Sequence, residues 1–135
     1  MKFGICQLPV IPLREEPDDT SEMVTQCLFG ECFTVLKTKK KWAFIRLELD
    51  NYEGWVSKNQ ILEIDALPPQ TKTIYSAELI DYITLPNGQL MSIPLGSLVN
   101  NRPEDSSFEG QTFQAKLPAE VLINTALLFL NTPYL

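Results

Sequence analysis

With 135 residues the chain is one ordinary domain or two very small ones. Its 11 basic and 17 acidic side chains leave a net charge of −6. That charge is spread evenly along the chain and excludes the concentrated basic face that a nucleic-acid partner needs. Histidine is absent, so no Ser-His or Cys-His nucleophile pair and no imidazole metal site can form within the chain, and neither metal nor cofactor is expected.

The first residues carry one lysine and then an apolar stretch broken by Gln7, Pro9 and Pro12, without the continuous apolar core of a signal peptide. A cytoplasmic location is expected, with an upstream signal or an envelope location left open. Val10 to Leu13 is a short strand, followed by the acidic loop Arg14 to Glu22. Val24 to Phe29 leads into Gly30-Glu31, and Phe33 to Leu36 alternates as a half-buried strand does. Lys37 to Lys41, with four lysines, reads as a solvated polar turn. Trp42 to Leu47 alternates again, Asp50-Asn51 turns, Gly54 to Val56 starts another strand, and Ser57 to Gln60 suits one tight helical turn. Short strands around a long acidic loop are the pattern of a small barrel. The cysteines, Cys6, Cys27 and Cys32, are odd in number and set among apolar residues, so reduced thiols are expected.

Ala66 to Gln70, with its Pro68-Pro69 pair, reads as a linker. Strands are expected again at Ile74 to Ile83, Leu90 to Leu95, Ser97 to Val99 and Thr112 to Lys116, with a hairpin turn at Pro86-Asn87-Gly88. Leu117-Pro118-Ala119-Glu120 has the marks of a helix start, and Val121 to Leu130 is rich in apolar helix formers before the stop at Asn131-Thr132-Pro133. The longest apolar run, Ala126 to Leu130, is far short of the about 20 residues that cross a bilayer, so no membrane span is expected. The resulting architecture is mainly β: two small β units, 1–65 and 66–117, followed by one helix over 118–135.

Several of these stretches resemble a known family. Pro9 to Arg14, Ser21 to Glu31, Phe33 to Leu36, Trp42, Ile45-Arg46 and Asp50 to Val56 resemble the bacterial SH3-like (SH3b) domain that precedes NlpC-type cell-wall cysteine peptidases, including the dipeptidyl-peptidase VI group. Asn131-Thr132-Pro133-Tyr134-Leu135 is similar to the first half of the Thr-Pro-Tyr-x-Trp-Gly-Gly stretch that opens the catalytic domain there. The resemblance implies a tandem SH3b region that ends before the catalytic cysteine. The parent enzyme would cut γ-D-Glu–diamino acid bonds in murein stem peptides, and its own C-terminal catalytic domain and the murein peptide would be the partners. It also implies that the first SH3b unit supplies an acid and a tyrosine to the pocket for a free L-Ala amine. Carried onto this chain, these are Glu22 and Tyr52, a carboxylate for the ammonium and a phenol beside it.

Other readings of the same residues stand beside this one. Glu22 is equally a solvated loop acid, with Glu15, Glu16, Asp18, Asp19 and Glu31 as nearby competitors, and Tyr52 a surface aromatic. Trp42 and Trp55 could line a peptide groove, or either could be barrel core. A stand-alone SH3-like peptide-binding or structural module is the alternative function.

Overall fold

The computed structural model describes residues 2–68 and 73–114. Seven strands build the first segment: β1 (Lys2–Ile5), β2 (Val10–Arg14), β3 (Met23–Leu28), β4 (Cys32–Lys39), β5 (Trp42–Leu47), β6 (Glu53–Ser57) and β7 (Leu62–Ile64). A 3-10 turn at Lys58–Gln60 separates the last two. They form one antiparallel sheet in the order β3-β2-β6-β5-β4-β1-β7. The sheet curls because period-two alternation gives it one apolar face. Ile11 and Leu13 from β2, Cys27 from β3, Phe33 and Val35 from β4, Ala43, Ile45 and Leu47 from β5 and Val56 from β6 share a single core with Cys6. The segment is all β, consistent with the SH3-like fold that the resemblance implies, with β1 and β7 as additional strands that no sequence signal singled out.

The lysine-rich turn is a correction. Strand β4 runs on to Lys39, and only Lys40-Lys41 turn, with Lys40 at φ 53°. A bulge explains why: Val35 pairs with Ile45, whereas Lys37 pairs with Phe44, leaving Leu36 as the extra residue. That insertion flips the parity of the strand, so Lys37 lies on the outer face with Phe44 instead of entering the core.

The second segment also differs in detail from expectation. Ile74 to Ile83 is two strands, β8 (Ile74–Ser76) and β9 (Ile80–Thr84). The break falls where the Ala77 amide turns to the Gln111 carbonyl (2.9 Å) and the Leu79 carbonyl takes the Leu95 amide (3.1 Å). Strand β9 pairs with β10 (Leu90–Pro94), and β8 with β11 (Thr112–Gln114). The Asn-Gly hairpin turn is present, with Gly88 at φ 87°. Ser97 to Val99 is not a strand: Leu98 makes a single bridge to Tyr75, and Val99–Asn101 is a 3-10 turn. This segment is therefore two two-stranded sheets with two small buried clusters, Ile83, Ile93 and Val99 in one and Tyr75 and Leu98 in the other. The expected helix over 118–135 lies outside the described residues, as do 69–72 of the linker. Among the described residues no helix is long and apolar enough to cross a membrane.

The two segments are joined by the turn between β3 and β4. Phe29 is fully buried and packs in the second core with Ile83, Ile93 and Val99. Its carbonyl accepts the Leu98 amide at 2.8 Å. Asn101 donates from Nδ2 to the Gly30 carbonyl (2.9 Å), and Gln7 donates from Nε2 to the Asn101 carbonyl (3.1 Å). Gly30 sits at φ +85°, and a Cβ there would lie 2.1 Å from the Leu98 carbonyl oxygen, so only glycine fits. Burying a phenylalanine in this way contributes about 2–3 kcal/mol, a large share for so small a core.

Candidate binding cleft on the outer sheet face

The residues that alternate with the core present a polar and aromatic outer face. Across it, Arg14 pairs with Trp55, and Trp55 with Phe44. Along one edge of this face lies a cleft of about 290 Å³ lined by Pro12, Arg14, Asp19, Trp42, Ser57, Asn59 and Gln60. Three elements shape it: β2 and its loop, the start of β5, and the 3-10 turn after β6.

The acidic loop is ordered by its own short polar side chains. Asp18 accepts the Thr20 amide and hydroxyl, both at 3.0 Å, and these bonds hold its carboxyl below the usual range. The Ser21 hydroxyl accepts the Glu16 amide (2.9 Å), and Arg14 donates from Nη1 to the Ser21 carbonyl (2.9 Å). Arg14 is thereby steered along the loop that carries Asp19. On the opposite wall, the Ser57 hydroxyl donates to Asn59 Oδ1 at 2.6 Å. The cleft thus offers one indole, one guanidinium, one carboxylate and several amide and hydroxyl groups. This chemistry suits a short polar peptide held without covalent attack.

The two tryptophans separate. Trp42 is half-buried and lines the cleft. Trp55 is 9% exposed and packs against Phe44, ring centres 5.1 Å apart, beneath the Lys37 ammonium. That ammonium lies 5.0 Å from the Phe44 ring centre and 5.5 Å from the Trp55 ring centre. Trp55 is a packed aromatic of the outer face, and it does not line the cleft.

Glu22 and Tyr52 are both exposed, Tyr52 at 44%, and neither lines the cleft. Strands β3 and β6 both run antiparallel to β2 and flank it on either side. Glu22 immediately precedes β3, and Tyr52 immediately precedes β6, so they stand at the same end of the sheet. The competing acids divide sharply. Asp19 lines the cleft, whereas Glu31 is buried in the joint, where its carboxylate accepts the Leu28 amide. Sequence reasoning missed Arg14, Asn59 and Gln60 as cleft residues, because only the curl of the sheet brings them to Trp42.

The thiols are free and buried. Burial pushes Cys32 up to about 11, and Cys27, hydrogen-bonded with the Cys6 thiol and desolvated, is also raised. Neither offers a thiolate near neutral pH.

Residues 13–61 match the family model of the bacterial dipeptidyl-peptidase Sh3 domain. This stretch is similar to a bacterial SH3 domain. Every cleft residue except Pro12 falls within it, as do Glu22 and Tyr52. No curated protein matches the chain. The SH3 domain that this stretch resembles is a non-catalytic module.

Proposed function

We propose that the chain is the non-catalytic, substrate-shaping region of a murein-peptide cysteine peptidase that cleaves γ-D-Glu–diamino acid bonds. In this reading 1–65 and 66–117 are two SH3b units, and 118–135 opens the catalytic domain they serve. The SH3 match over 13–61, in a family described from dipeptidyl-peptidases, carries the reading. The common position of Glu22 and Tyr52 at one end of the sheet supports it. There the carboxylate binds the free ammonium of an N-terminal L-Ala and the phenol flanks it, closing one end of the groove to longer chains.

The test is the parent enzyme with Glu22→Ala and Tyr52→Phe, assayed on L-Ala-γ-D-Glu-diaminopimelate. A raised KM in both variants supports the role, and unchanged kinetics in both contradict it.

The cleft at Trp42 favours a second reading, a module that binds peptide by itself, because its walls all belong to one segment. Titration of the chain alone with the same tripeptide separates the two. Shifts confined to the Trp42 cleft favour the independent module. Little binding favours a pocket shared with a catalytic domain.

A further inference from the structure

The turn that joins the two segments contains a carboxyl group in an unusual setting. Glu31 is 7% exposed. Its carboxylate accepts the Leu28 amide, and its own amide donates to the Leu28 carbonyl (3.0 Å), so the side chain closes the turn that projects Phe29 and Gly30 into the second segment. Its backbone carbonyl accepts the Cys6 amide (2.9 Å), and the Gly30 amide donates to the Cys6 carbonyl (2.8 Å). This side chain thus closes the turn that carries Phe29 and Gly30 to Leu98 and Asn101, a turn that the Phe29 amide also ties to the Pro9 carbonyl (3.2 Å).

The groups facing Glu31 are acids, thiols and a phenol. Asp50, from the turn before β6, repels its charge. Cys27 of β3, Cys32 of β4 and Tyr75 of β8 all sense that charge, and the Glu48 charge also acts on Cys32. None of these is a cation, so nothing in this set compensates an ionised carboxylate.

We propose that Glu31 is a proton-operated latch on the joint: protonated, it holds the 28–31 turn seated in the second segment, and ionised, it loosens that seat. The carboxylate has one favourable bond, from the Leu28 amide. Against that stand desolvation and the Asp50 charge, both relieved if the side chain swings out to water. Swinging out releases the Leu28 amide and the turn, and with it the Phe29–Leu98 and Gly30–Asn101 hydrogen bonds. Burial outweighs the amide bond, which places the group at about 7 and the change within the physiological range. The latch does not depend on which ligand the cleft takes.

Amide hydrogen exchange on the chain at pH 5.5 and 8, corrected for intrinsic rates, tests this. Protection of the Leu28 and Leu98 amides, which donate to the Glu31 carboxylate and the Phe29 carbonyl, should fall at least tenfold between the two pH values. Amides of Ile45 and Val56, in the first core, should hold steady. Glu31→Gln keeps an acceptor for the Leu28 amide without the charge and should abolish the dependence. Asp50→Asn should move the midpoint down. In parallel, the Glu31 carboxyl carbon shift in the unmodified chain reports its titration directly, whether or not any variant folds. Titration at the usual glutamate value, unchanged protection, or a pH dependence that persists in Glu31→Gln each overturns the proposal.

Discussion

Leu98 donates its amide to the carbonyl of Phe29 at 2.8 Å, while the Phe29 ring is fully buried among Ile83, Ile93 and Val99. The first segment thereby completes the core of the second. Phe29→Ala should cost about 3–5 kcal/mol, with the loss concentrated in residues 74–114. Denaturant unfolding followed by residue-resolved exchange would show β9 and β10 losing protection before β4 and β5.

Gly30→Ala should be nearly as damaging despite adding one methyl group. The positive φ and the Leu98 carbonyl together oppose it, at roughly 2–3 kcal/mol. Gly88, also at positive φ but with nothing within 4 Å, should bear alanine at a cost of only about 1 kcal/mol. Melting temperatures of the two variants compare these directly.

Stability should fall as pH rises through the neutral range. Glu31 titrates at about 7 folded against an ordinary 4.5. Between those values the folded state binds the extra proton, so its relative stability is greatest below 4.5 and declines until about 7. The full effect approaches roughly 3 kcal/mol. Denaturant midpoints between pH 4.5 and 8 should decline in the unmodified chain and stay flat over this window in Glu31→Gln.

The tryptophans should part in their effects. Trp42→Ala should leave the fold intact and weaken peptide binding at the cleft roughly tenfold. Trp55→Ala should cost about 3 kcal/mol of stability, and Lys37→Met a further few tenths to about 1 kcal/mol through the lost cation–π contact. Calorimetric titration and thermal melts distinguish the two classes.

Much of the first segment was legible because its strands alternate cleanly: Ala43, Ile45 and Leu47 point inward, and Trp42, Phe44 and Arg46 outward, as the pattern implies. The bulge at Leu36 was not, since one inserted residue changes parity without altering composition. Nor was Phe29, which reads as the end of a strand until the second segment is in place. The same limit applies to the candidate site. Trp42 stood out as an aromatic, but which of its neighbours reach it depends on the curl of the sheet. Among the loop acids, the sequence offered no means of telling the cleft residue Asp19 from the buried Glu31.

The most direct measurement of the proposed substrate-shaping role compares two substrates on the proposed parent peptidase. For Glu22→Ala, KM for the free-amine murein tripeptide should rise roughly 10- to 100-fold, the worth of a hydrogen bond to a charged group. KM for the same peptide with an acetylated N-terminus, which has no ammonium to lose, should stay as it is in the unmodified enzyme. Equal KM values for Glu22→Ala and unmodified enzyme on the free-amine peptide would contradict the role assigned to this end of the sheet.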